Sequence, residues 1–183
     1  MAYQIEIIEG HGCSSFWLCP VIPKEQGEIG QWEDVTRLEE EISIDEDDVW
    51  CFLYYFFAKY FDSDLTYNKR RRGDEGEPLS RFEWNLEHNF YTYGTLRKML
   101  GEIQKTADLL ECDWENPRLD EVKKNFSILY MCHPDHEDYL NRNESAVKTH
   151  ISVVTDFYRR FVKRLSTMMD NNPDTNVLSV MGP

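Results

Sequence analysis

The chain is poor in basic residues, with 20 lysines and arginines against 34 aspartates and glutamates in 183 residues. Its net charge is −14, so we expect no nucleic-acid partner, because contacts to phosphates need a basic surface. The shortage is greatest in residues 1–61, which contain 3 basic and 13 acidic side chains. This part of the chain predicts a negatively charged face, which attracts basic partners or serves only to keep the surface solvated.

The sequence also lacks segments that direct a chain to a membrane or out of the cell. Residues 1–9 contain Glu6 and Glu9 without a basic start, so we predict no signal peptide. No apolar run reaches the roughly 20 residues that a membrane-spanning helix needs. The five cysteines are an odd number without a Cys-x-x-Cys pair, which favours free thiols in a reducing compartment. Together these absences predict a soluble, cytoplasmic protein.

Established catalytic and phosphate-binding motifs are missing as well. Gly10-His11-Gly12 is followed neither by a third glycine nor by a helix pattern, and no Gly-x-Ser-x-Gly turn occurs. Cys13 and Cys19 flank an aromatic strand close to His11, but the acidic surroundings disfavour the thiolate that a cysteine nucleophile needs. We therefore expect a non-enzymatic protein without a cofactor or a metal.

The densest set of metal-binding or acid–base groups is CHPDHED at residues 132–138. Its imidazoles and carboxylates suit zinc or another divalent ion, and His133 and His136 share one site if the segment turns helically. The spacing matches no established pattern such as HExxH, and the same residues suit a helix N-terminus with Pro134 in its first turn. A small metal-binding or hydrolase-like enzyme using His133 and His136 is the alternative function.

The sequence does contain one long apolar block, VWCFLYYFFAKYF at residues 49–61, in which eight of thirteen residues are aromatic. Ser43 and Glu46 have the spacing of a capping box, and the acids at 45–48 suit the first turn of a helix. We predict a helix from Ile44 to Phe61, apolar on most sides and central in the core, with a strand as the alternative. An aromatic stripe left uncovered by the fold would form a homodimer contact.

The remaining patterns predict a single globular domain over residues 1–183. Its fold class is α+β, with about four helices, two of them long, packed on a small and mostly antiparallel sheet. We expect a mobile loop near residues 62–79, where charge, glycine and proline occur without periodicity. The elements are a hairpin of residues 3–8 and 14–18 ended by Pro20 and Pro23, a strand or short helix in 31–41, a strand at 81–93, helices at 95–111, 116–133 and 147–168, and a closing strand at 177–181.

Two groups of charged residues need separate explanations. Arg159, Arg160, Lys163 and Arg164 fall in the last predicted helix, where we attribute them to the helix dipole. Glu39, Glu40 and Glu41 have no such structural explanation, and we predict that they bind a partner. The leading hypothesis is a non-enzymatic protein-binding module for a basic partner. Inhibitors and neutralising proteins of bacterial toxins are similar to it in small size and acidity, which is an analogy of composition.

Overall fold

A computed structural model describes residues 16–25, 34–44, 51–61, 89–125, 148 and 151–181. Within them, five strands and four helices form the predicted α+β fold. The strands are β1 (Phe16–Pro23), β2 (Val35–Arg37), β3 (Ile42–Ile44), β4 (Asn89–Thr92) and β5 (Val177–Met181). The helices are α1 (Cys51–Phe61), α2 (Tyr93–Cys112), α3 (Asp120–Asn125) and α4 (Ile151–Asn171).

The described strands pair antiparallel throughout, in the order β2-β1-β5-β4, with β3 also on β1. The long strand β1 pairs along one edge with β2 at its C-terminal end and with β3 at its N-terminal end. Its other edge pairs with β5. The strand predicted at residues 177–181 is confirmed, and it lies inside the sheet between β1 and β4.

Pro20 lies within β1, whereas the sequence predicts that Pro20 and Pro23 end this strand. That prediction is wrong for Pro20, because a strand tolerates proline wherever the ladder requires no N–H donor, whereas β1 does end at Pro23. Pro20 faces the gap between β2 and β3 along the edge of β1, and its carbonyl accepts a hydrogen bond from Leu38 N at 3.0 Å. The strand therefore continues through Pro20, because the N–H that proline lacks falls on the edge between β2 and β3 and not on the edge that pairs with β5.

Side chains on both faces of the sheet are buried. The strands contribute Leu18, Tyr91 and Val180 to the same hydrophobic cluster as the helices. Because side chains alternate along a strand, their neighbours point to the opposite face. There a second buried cluster consists of Cys19, Val21, Val35, Phe90 and Val177.

The aromatic block forms the central helix α1, as predicted. Leu53, Phe56, Phe57 and Phe61 are at most 1% exposed. Tyr91 of β4 packs among them, with its ring edge-on to Phe57 at 5.5 Å between centroids. Its hydroxyl donates to Phe57 O at 2.7 Å, which ties the helix to the sheet.

The predicted start of this helix at Ile44 is wrong. Residues 42–44 form β3, in which Ser43 pairs with Trp17 of β1 and is not a helix cap. Isoleucines on both sides of Ser43 favour a strand, and Ile42 is buried in the main cluster. The acids at 45–48 lie outside the described residues, so their position in a first helical turn stays a prediction.

The two long helices are confirmed. α2 begins at Tyr93, two residues before its predicted start, because Thr92 is the N-cap and its Oγ1 accepts from Thr95 N at 3.3 Å. α4 ends at Asn171, followed by Asn172 and Pro173 as predicted. Both helices bury their apolar stripes in the main cluster; these are Leu96, Leu100, Ile103, Ala107 and Leu110 of α2, and Val154, Tyr158, Phe161, Leu165 and Met168 of α4.

The shorter elements agree with the sequence where they are described. β2 shows that a strand is present within residues 31–41. Asn116 caps the turn Pro117–Leu119, after which α3 begins, as predicted from Asn116-Pro117. Several predictions lie outside the described residues: the strand at 3–8, the loop at 62–79, residues 81–88 of the predicted strand 81–93, and the continuation of α3 beyond Asn125.

Candidate functional site

The predicted partner-binding residues Glu39, Glu40 and Glu41 lie on the connection between β2 and β3, here called the acidic connection (residues 38–41). The sheet holds this connection at both ends. Leu38 N donates to Pro20 O at its start, and the side chain of Ile42 is buried at its end. The acidic connection is therefore positioned by β1, which pairs with both β2 and β3.

The three glutamates differ in their contacts. Glu39 is exposed and makes no hydrogen bond or ion pair in the part of the chain that the structure describes. Glu40 is half-buried, and its carboxylate accepts from Asn172 Nδ2 at 2.6 Å and from Asn171 Nδ2 at 3.3 Å. Glu41 is exposed and forms an ion pair with Arg37. Glu40 thus has a structural role at the end of α4, while Glu39 has none.

A groove of about 460 Å³ separates the acidic connection from α4. Glu40 and Glu41 form one wall, and the buried side chains of Ile42 and Met168 lie at its floor. The opposite wall consists of Arg160, Lys163, Arg164 and Thr167. These four residues have the spacing i, i+3, i+4 and i+7, which places them on one face of the helix.

The cations of the groove are less fully paired than its carboxylates. Arg160 contacts Asp156 at 3.2 Å, but Lys163 and Arg164 make no ion pair with any described residue. The carboxylates are already engaged, Glu41 by Arg37 and Glu40 by two side-chain amides. The groove therefore holds two cations without an ion pair, Lys163 and Arg164, and one carboxylate, Glu40, whose partners are neutral amides, in a chain with a net charge of −14.

The helix dipole does not account for these cations, and this part of the sequence interpretation is wrong. The dipole acts within the last turn of a helix. α4 continues to Asn171, so Arg164 lies about two turns before its end, and the last turn contains no basic residue. Sequence reasoning missed the groove, because the spacing of the cations indicates only that they share one face of the helix.

A second polar cluster joins α2 to α4. Glu111 accepts two hydrogen bonds from the Arg159 guanidinium, at 2.7 and 2.8 Å, and one from Thr155 Oγ1 at 2.5 Å. Arg159 also contacts Asp108 at 3.3 Å. The hydrogen bonds from Arg159, and then that from Thr155, lower the pKa of Glu111 to about 2. Every charge in this cluster has a partner, so we interpret it as a structural contact between the helices.

The candidate nucleophile Cys19 is inaccessible. It is fully buried on the sheet face opposite the helices. Burial raises the pKa of its thiol to about 11, against a smaller opposing effect of the Arg37 charge. Cys19 is therefore protonated at neutral pH and cannot act as a thiolate nucleophile. The other candidate cysteine, Cys13, and the nearby base, His11, lie outside the described residues.

The predicted histidine site at His133 and His136 lies outside the described residues, so the metal-binding or hydrolase-like alternative stays a prediction. Among the residues that are described, no group of three His, Cys, Asp or Glu side chains is arranged to hold a metal ion. Comparison with protein-family models, curated proteins and solved structures finds no match. None of the helices in the described ranges has the length and apolar character needed to cross a membrane.

Proposed function

We propose that this protein is a non-enzymatic binding module that recognises a basic protein partner, as an inhibitor or neutralising protein does, through Glu39, Glu40 and Glu41. The observation that supports this proposal is the placement of all three on a connection that the sheet holds at both ends. A positioned loop loses little conformational entropy on binding. The acidic excess of residues 1–61 adds long-range attraction for a basic protein.

Glu39 is the residue best suited to a direct contact. Its carboxylate is exposed and has no partner among the described residues, so a basic side chain can pair with it without breaking an internal contact. Glu40 instead anchors the acidic connection to α4. Glu41 must break its ion pair with Arg37 before it can pair with a basic partner. The proposal therefore assigns the first contact to Glu39 and the positioning to Glu40.

A charge reversal at Glu39 tests this proposal. The wild-type protein and Glu39→Lys are used in parallel to capture basic proteins from a lysate at low ionic strength, and affinity for the recovered partner is measured by calorimetry. We expect Glu39→Lys to weaken binding about fivefold to tenfold, or about 1 to 1.4 kcal/mol. Binding of the wild-type protein is expected to weaken as salt is added.

Glu115→Lys is the matched control, because it makes the same change in net charge at an exposed residue whose only described partner is Lys148. It lies beyond the end of α2, outside the acidic connection. Equal loss of affinity in Glu39→Lys and Glu115→Lys would contradict the proposal, because binding would then depend on net charge and not on Glu39. Recovery of no basic partner at low ionic strength would also contradict the proposal.

A further inference from the structure

The unpaired cations Lys163 and Arg164 face two carboxylates across the groove without forming an ion pair with them. Opposite charges at such a site normally pair. Here the carboxylates are engaged elsewhere, since Arg37 pairs with Glu41 and the amides of α4 bind Glu40. The cationic wall is therefore available to an external anion.

We propose that this groove is a binding site for a small organic dianion, such as a phosphate monoester or a dicarboxylate. The guanidinium of Arg164 suits two parallel hydrogen bonds to an oxyanion, and Lys163 adds a point charge one helical position away. The hydroxyl of Thr167 supplies a further donor on the same wall, and Ile42 and Met168 offer an apolar floor to the rest of the ligand.

The size and the field of the protein favour a small ligand over a polyanion. A groove of about 460 Å³ falls within the range of roughly 300–1,000 Å³ that is typical of small-molecule sites. The net charge of −14 repels a nucleic acid or an acidic protein over long distances, whereas a small dianion is affected mainly by the charges of the groove, where three cations outnumber two carboxylates. This inference goes beyond the proposed basic partner, because it rests on the cations of α4, although Glu40 and Glu41 of the acidic connection form the opposite wall of the groove.

Nuclear magnetic resonance titration of the full chain tests the site. The probes are phenyl phosphate and succinate, each added at constant ionic strength set with sodium chloride. We expect saturable shifts at the amides of Lys163, Arg164 and Thr167 and at the Met168 methyl group. The double variant K163Q/R164Q should bind at least about tenfold more weakly. The probe with the lower dissociation constant identifies which oxyanion the groove prefers.

K98Q/K105Q is the matched control, because Lys98 and Lys105 are exposed on α2 and make no ion pair among the described residues. It changes the net charge equally and should leave the affinity unchanged. Glu41→Gln should tighten dianion binding because it removes a negative charge from the lining of the groove, although it should weaken binding of a basic partner. Equal affinities in K163Q/R164Q and the wild-type protein, or shifts spread over the whole surface, would overturn the inference.

Discussion

At the scale of the residue, Glu40 shows how one member of an acidic cluster takes a structural role. Both of its carboxylate oxygens accept hydrogen bonds, from Asn171 and Asn172. Asn172 also donates to Met168 O at 2.8 Å, which satisfies one of the carbonyls that lack an intrahelical partner at the end of α4. Glu40 therefore connects the sheet edge to the end of this helix.

Replacement of Glu40 by alanine should lower the stability of the fold. We expect Glu40→Ala to reduce the free energy of unfolding by about 1 to 2 kcal/mol, because two hydrogen bonds to a half-buried carboxylate are lost. Urea denaturation followed by circular dichroism measures this change. Glu39→Ala is the control and should stay within about 0.5 kcal/mol of the wild-type protein. Equal effects of the two substitutions would refute the structural role of Glu40.

At the scale of the element, the contact between α2 and α4 depends on pH. The folded-state pKa of Glu111 is lowered from 4.5 to about 2 by Arg159 and then by Thr155. A carboxyl group with a depressed pKa in the folded state stabilises the fold above its unfolded pKa, and this contribution is lost as the pH falls. The unfolded chain binds more protons in this interval, so stability decreases between about pH 4.5 and pH 2.

Glu111→Gln should weaken this pH dependence. The wild-type protein is expected to lose more stability than Glu111→Gln between pH 4.5 and pH 2, because the variant has no carboxyl group to protonate at this contact. Guanidinium chloride unfolding at several pH values measures the difference. Asp174→Asn serves as the control, since Asp174 is exposed without a hydrogen bond among the described residues. If the free energy of unfolding fell equally with pH in Glu111→Gln and in the wild-type protein, Glu111 would not be the source of this pH dependence.

The long helices were predictable from the sequence, whereas some of the short strands were not. α2 and α4 repeat their apolar stripes over several turns, so their periodicity defines them to within a few residues. β3 has only three residues, which is too short for a period, and its pairing with β1 is set by tertiary contacts. The same applies to Pro20, whose place in a strand depends on the gap between β2 and β3.

The groove was less predictable than the fold for a related reason. Its walls come from residues 40–42 and residues 160–168, which are far apart in the chain. The sequence identified Glu40 and Glu41 as unexplained acids, but it contained no sign that Lys163 and Arg164 lie opposite them. Spacing along one helix predicts a shared face, whereas the partner of that face depends on the topology.

At the scale of the whole molecule, the sheet is buried on both faces, and the reactivity of the Cys19 thiol can be used to measure this burial. Its side chain is fully buried, whereas Cys112 at the end of α2 is exposed. Alkylation of Cys19 therefore requires unfolding of the sheet, while Cys112 reacts in the folded state. The ratio of the two rates measures how rarely the sheet opens.

We expect iodoacetamide at pH 8 to modify Cys112 rapidly and Cys19 slowly, as measured by peptide mass spectrometry over time. Low concentrations of urea should accelerate the alkylation of Cys19, and its rate should depend on the urea concentration in the same way as global unfolding does. The alkylation rate of Cys112 should stay nearly unchanged. Labelling of both cysteines at one rate in the absence of urea would contradict the buried position of Cys19.

The place of β5 between β1 and β4 has a consequence for synthesis on the ribosome. β1 finds its partner β5 only after roughly 150 further residues have been made, which takes about 8 to 30 s at typical translation rates. During that interval one edge of β1, with its apolar side chains, lacks the strand that completes it. The nascent chain therefore needs protection from aggregation until β5 is made, and the sheet is completed only then.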